Sequence, residues 1–143
     1  MSTLLTNDPL IAACLAWLLA QVSKLVIVLL RERKLQLAYL TSSGGMPSSH
    51  SAVVVALAMR VGIDEGVQSP LFAIAFILAS VVLYDAAGIR RAVSVQARIL
   101  NRMLEEVMDL KRFNEKRLLE LLGHTPFEVF IGSLLGLLVA LSW

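Results

Sequence analysis

Apolar residues run almost unbroken from about Pro9 to Leu30, with Lys24 as the one charge among them. A helix that crosses a membrane needs about 20 predominantly apolar residues, so this stretch predicts a first span. The chain is apolar again from Ser51 to Val61. Together with the preceding Pro47-Ser48-Ser49-His50 this predicts a second segment over 48–62, of barely membrane length and therefore tilted, re-entrant or shielded by its neighbours. Residues 69–89 predict a third span, interrupted late by Asp85, and 126–143 a last one opened by Pro126, a residue favoured in the first turn of a helix. Between 95 and 122 the pattern changes: Ile99, Met103, Leu104, Val107, Met108, Leu118 and Leu122 recur at roughly helical spacing among charges. That is the mark of an amphipathic helix, lying on the membrane surface or capping the bundle. The expected fold is all-α: one membrane domain over 1–143, a helical bundle of about four membrane segments plus the amphipathic helix.

Composition agrees with lipid rather than water as the solvent. Of 143 residues, 57% are hydrophobic and 17% charged, against roughly 25% charged in a soluble domain. The net charge of +2 does not point to nucleic acid, because the basic residues sit in loops beside apolar segments, where they encode topology. Cys14 is the single cysteine and lies inside an apolar run, so neither a disulfide framework nor a zinc site can be assembled from cysteines. The N-terminus has no basic region ahead of its long apolar stretch, which reads as a retained span and not a signal peptide.

Charge also orients the segments. The loop after the first span carries Arg31, Arg33 and Lys34 against Glu32, and the connection from Arg90 to His124 carries eight basic residues against five acidic ones. The loop around Arg60, Asp64 and Glu65 is acidic on balance. The positive-inside rule therefore predicts a multi-pass protein of the inner (cell) membrane with both basic loops and the amphipathic helix cytoplasmic, and both termini on the opposite side.

Several residues at those cytoplasmic ends have the chemistry to hold a phosphate. Gly44-Gly45-Met46-Pro47-Ser48-Ser49-His50-Ser51 leads from flexible glycines into Pro47, a residue favoured in a first helical turn, and then into a helix, and a helix N-terminus offers unsatisfied N–H groups and a positive dipole end to an anion. Ser48 and Ser49 add hydroxyls and His50 a group that titrates near neutrality; the plainer reading makes the serines caps and His50 an interfacial histidine. His124 stands four residues before Glu128, one helical turn, so the carboxylate can orient the ring. Such a pairing fixes the tautomer and makes a nucleophile or base, whereas the plainer reading is a helix cap with a lone acid. Lys24 and Arg31, seven residues apart, share nearly one helix face and can converge on one anion, unless Lys24 only snorkels to the interface. Asp85 is followed by Arg90 and Arg91, either of which can supply a bidentate fork for phosphate. Glycines and a serine at Gly132, Ser133 and Gly136 would alone suit a helix-packing subunit.

These stretches resemble the divergent branch of the type 2 phosphatidic acid phosphatase superfamily, related to lipid phosphate phosphatases and vanadium haloperoxidases. The similarity runs through Gly-Gly-Met-Pro-Ser-Ser-His-Ser-Ala, Tyr-Asp-Ala-Ala-Gly-Ile-Arg-Arg-Ala and Leu-Leu-Gly-His-Thr-Pro-Phe-Glu-Val. Lys24 and Arg31 fit the spacing of the first superfamily motif, with Glu32 in place of its proline. Pro47, Ser48 and His50 match the second, with Ser49 in place of glycine. In the third, His124 matches, Glu128 stands for an aspartate, and Arg117 and Leu118 occupy the Ser-Arg positions.

The resemblance implies a metal-independent, cofactor-free phosphatase acting on a phosphorylated lipid or isoprenoid. His124 would attack phosphorus, Glu128 would stabilise its imidazolium and His50 would protonate the leaving alcohol. Lys24, Arg31, Ser48, Ser49 and Arg90 or Arg91 would hold the phosphoryl oxygens, with Asp85 and Gly45 in support. The chain is short beside the six-helix core of the superfamily, so a homodimer is the expected way to complete the fold. The competing expectation is a binding or transport protein that keeps the anion pocket without turnover.

Overall fold

The computed structural model describes residues 6–33, 45–87, 95–103 and 124–142, without the side chains of Arg31 and Glu32. All regular structure among them is helical: α1 (Asp8–Glu32), α2 (Ser49–Glu65), α3 (Pro70–Ala87), α4 (95–103) and α5 (Pro126–Ser142). Each long helix begins where its sequence supplies an acceptor for the first free N–H groups. Asn7 Oδ1 accepts from Leu10 N–H at 3.0 Å, and Ser69 Oγ accepts from Phe72 N–H at 3.1 Å just ahead of Pro70. Ser48 caps α2 in the same way, so Pro47 precedes the cap and does not sit in the first turn as the sequence suggested.

The segment expected to need shielding lies at the centre. α2 touches α1, α3 and α5, and its inward residues are small: Ser49, Ser51, Ala52, Ala56 and Ala58. Ala16 and Ala20 of α1, Ala52 and Ala56 of α2 and Val139 of α5 form one packed cluster, and Ala58 of α2 packs with Ala75 and Ala79 of α3 in a second. Small residues let backbones approach, which is how helices associate when lipid removes the usual hydrophobic drive. The approach is closest at α5. A Cβ on Gly132 would collide with the Ser48 carbonyl oxygen, and one on Gly136 with that of Ala52.

These contacts fix directions. The start of α1 meets the end of α2 through Arg60, whose guanidinium pairs with Asp8 at 3.4 Å and with Asp64 at 3.0 Å. The end of α1 meets the start of α2 through Lys24 and Ser49. α1 and α3 thus run antiparallel to α2, while α5 runs parallel to it, with Gly132 beside Ser48 and Gly136 beside Ala52.

The large apolar side chains point outward. Leu71, Ile74, Phe76, Ile77 and Val81 are exposed on α3, as are Phe127, Phe130 and Leu138 on α5. Two helices, Asp8–Leu30 and Pro70–Ala87, are long and apolar enough to cross a membrane, fewer than the four segments expected. Only 28% and 17% of these stretches are buried within the protein, unlike core helices of a soluble domain. α5 is apolar but has 17 residues, and α2, of the same length, carries Arg60, Asp64 and Glu65. An outer surface of this kind is suited to acyl chains, and membrane association follows from it. Of the amphipathic helix expected over 95–122, residues 95–103 are described and helical, with Ala97 and Asn101 buried and Val95, Ile99 and Met103 exposed; the remainder lies outside the described residues.

Candidate active site

Two histidines separated by 74 positions meet at one end of the bundle. His50 lies in the first turn of α2 and His124 immediately before α5, and their ring centroids are 6.2 Å apart in an edge-to-face arrangement. The parallel packing of α2 and α5 creates this proximity by bringing two helix N-termini side by side. It is pinned at that level by Ser48 N–H donating to the Glu128 carbonyl at 3.1 Å. Upstream, Gly45 has φ of +90°, a conformation that side chains rarely adopt, and turns the chain into the cap.

His124 is nearly sealed from solvent, at 2% exposure, while His50 is exposed. Its Nδ1 faces Glu128 Oε2 at 3.3 Å, so the neutral ring donates there and turns the Nε2 lone pair away from the carboxylate. That Nε2 is buried and has no hydrogen-bond partner among the described residues. A buried polar atom left unsatisfied is costly, and a catalytic role or a bound water or ion is among the reasons a folded protein keeps one. Burial pushes the His124 imidazole below the usual histidine value. The bond and charge of Glu128 oppose this, and the positive charges of Lys24 and His50 reinforce it.

Glu128 serves two ends at once. The same Oε2 accepts from Thr125 N–H at 3.0 Å, while Thr125 Oγ1 accepts from Glu128 N–H at 3.3 Å. The sequence offered helix cap and histidine partner as alternatives, and one carboxylate fills both roles.

Lys24 approaches from α1. It is 2% exposed, and its ammonium donates to Ser49 Oγ at 3.3 Å. Its charge is felt by both Glu128 and His124. A buried cation against the positive end of α2 is electrostatically unfavourable until an anion arrives. Ser48 is fully buried, and its Oγ accepts from Ser51 N–H at 3.3 Å and Ser51 Oγ–H at 2.9 Å, which makes it first of all the cap of α2. The plainer reading of the serines therefore holds for Ser48, while Ser49 faces the lysine.

Of the residues expected from the sequence, His50, His124, Glu128, Lys24, Ser48 and Ser49 are gathered here. Asp85 is half-buried on the last turn of α3, outside this network of bonds. The Arg31 side chain, Arg90 and Arg91 lie outside the described residues. The sequence reading gave Thr125 no part, although Thr-x-x-Glu ahead of an apolar run is a recognisable capping signature. Among the described residues no group of three histidine, cysteine or carboxylate side chains is placed to hold a metal.

Residues 5–139 match the model of a family described as the divergent PAP2 family. The chain belongs to the divergent PAP2 family. The chain is also similar to the uncharacterized membrane protein YuiD of Bacillus subtilis (strain 168), 43% identical over 152 residues that cover 96% of this chain and 94% of that protein. No solved structure matches the chain. The match takes in α1 to α4 and all but the last three residues of α5, so both histidines lie within it.

Proposed function

We propose that this divergent PAP2 protein is a membrane-embedded phosphatase that hydrolyses a lipid or isoprenoid phosphate through a phosphohistidine intermediate. The observation that carries the reading is the buried, unpartnered Nε2 of His124, backed by Glu128 on its other nitrogen and facing His50 across 6.2 Å between ring centroids. Reacting atoms in a near-attack arrangement stand about 3–3.5 Å apart. A single phosphoryl group placed between the rings then has the nucleophile on one side and the proton donor on the other.

In this mechanism the Nε2 lone pair forms a bond to phosphorus as the ester P–O bond breaks, and protonated His50 gives its proton to the departing alkoxide. Neutral His50 then takes a proton from water, whose oxygen displaces Nε2 and releases inorganic phosphate. Glu128 stabilises the imidazolium that develops on His124. Lys24, Ser49 and the N-terminus of α2 hold the phosphoryl oxygens, with Arg31, Arg90 or Arg91 as further cationic ligands. Their fixed charges stabilise the transition state without reorganising.

The alternating helix directions and the placement of the site at the ends of α1, α2 and α5 support four membrane segments. In this arrangement the site faces the cytoplasm of the inner membrane, both termini lie on the other side, and a homodimer completes the helical core. A headgroup phosphate can reach the site while its tail stays in the bilayer. The test is release of inorganic phosphate from phosphatidic acid or polyprenyl phosphate by purified protein. His124→Ala and His50→Ala abolish it on this reading, and activity that survives both changes ends it. The absence of the serine-arginine pair from the third motif, where Arg117 and Leu118 stand, favours a second reading as a phosphate- or phospholipid-binding protein without turnover. That reading expects saturable binding with no phosphate release.

A further inference from the structure

The Thr125 side chain has no part in the chemistry proposed above, yet it is bonded to the group that orients the nucleophile. Thr125 and Glu128 bond each other reciprocally: Oγ1 accepts from Glu128 N–H at 3.3 Å, and Glu128 Oε2 accepts from Thr125 N–H at 3.0 Å. This is a capping box, and its return arm requires the length of a glutamate or glutamine side chain. In this chain the box has a third member, because the same Oε2 faces His124 Nδ1 at 3.3 Å.

A glutamate side chain in a first helical turn otherwise samples several rotamers, and freezing it costs conformational entropy. The box ties the backbone of Glu128 to Thr125 Oγ1 and its carboxylate to Thr125 N–H, and together these hold the carboxylate where the ring meets it. Without them, neutral His124 can carry its proton on either nitrogen, and the form protonated at Nε2 presents a hydrogen where the lone pair is needed. The glutamate that replaces the aspartate expected at this position is thus explained by reach: one methylene less breaks the return bond while leaving the charge.

We propose that Thr125 is a positioning residue, which through Glu128 keeps the His124 proton on Nδ1 and the Nε2 lone pair open to the site. The inference rests on the phosphatase reading only for its consequence in turnover, since the tautomer is a property of the resting protein.

The test uses the full chain, labelled with 15N-histidine in lipid nanodiscs, with the His124 ring assigned by comparison with His50→Gln. The wild type and Thr125→Ser show the Nδ1–H tautomer. Thr125→Val raises the Nε2–H population about fivefold, the scale of equilibrium that one N-cap hydroxyl controls, and lowers kcat by a similar factor with KM little changed. Glu128→Asp, which keeps both threonine and charge, moves the tautomer the same way and guards against a Thr125→Val protein that does not fold. An unchanged tautomer in Thr125→Val and Glu128→Asp overturns the inference, as does a Thr125→Ser protein as impaired as Thr125→Val. A tautomer shift in a protein that releases no phosphate upholds the positioning role and defeats the phosphatase reading alone.

Discussion

Gly132→Ala is the smallest change that drives α5 away from α2. The added methyl would overlap the Ser48 carbonyl oxygen and lie 3.1 Å from both the Ser48 carbonyl carbon and Cβ, where carbon atoms prefer about 3.5–4.0 Å. None of these atoms is the end of a flexible side chain, so rotamer changes cannot relieve the clash and the helices must separate by on the order of 1 Å. Overpacking of this kind costs about 1–3 kcal/mol; at about 2 kcal/mol the melting temperature of a chain this size falls by roughly 4–8 °C. The same displacement strains the bond from Ser48 N–H to the Glu128 carbonyl, 3.1 Å in the native packing, and shifts His124 relative to His50. A misplacement of about 1 Å between catalytic groups can cost about a hundredfold in rate. Thermal unfolding in detergent and phosphate release measured on one preparation report both effects. Ser133→Ala is the control, because Ser133 Oγ only donates back to the Val129 carbonyl at 2.9 Å within α5. A Gly132→Ala protein with native melting temperature and turnover would refute the close approach of α5 to the cap of α2.

Three further outcomes follow from the site and its opposite end. His124 is held below the usual histidine value of about 6.5 by burial, so it stays neutral in the folded protein at pH values where an unfolded chain already binds the proton. Stability is therefore full above about pH 6.5 and declines as pH falls below it, and a urea titration between pH 7.5 and 5 should lose this slope in His124→Gln. Lys24→Met removes an ammonium whose burial is costly, which leaves stability unchanged or higher while weakening phosphate binding at least tenfold by isothermal titration; lower stability with unaltered binding would contradict its role. Arg60→Ala breaks the link from the end of α2 to Asp8 and Asp64. Because Asp8 is 47% exposed, the loss is about 1 kcal/mol, read as a small drop in melting temperature with turnover preserved.

The helices were legible because their signals are local. Apolar runs mark α1, α3 and α5, whereas the caps Asn7, Ser69 and Thr125 emerge only from their bonds. The pairing of His124 with Glu128 was legible for the same reason, since four residues make one helical turn. Pro47 misled, because a proline ahead of a serine fits both a first turn and the residue before a cap, and only the Ser48 bonds decide between them. Nothing periodic in the sequence announces that the least apolar of the long helices takes the centre. That follows from the small residues Ala52 and Ala56 meeting Ala16, Ala20 and Gly136, a match between distant segments. The meeting of His50 and His124 was inferred from shared sidedness, and the parallel packing of α2 and α5 supplies its cause.

One shared anion is what joins the two histidines in this mechanism. A crystal or electron-microscopy structure with vanadate bound in lipid should place vanadium on His124 Nε2, with Lys24 and Ser49 on its oxygens and the His50 ring within hydrogen-bond reach of the apical oxygen. Vanadate bound away from both rings, or touching His50 while His124 Nε2 remains sealed, would contradict it.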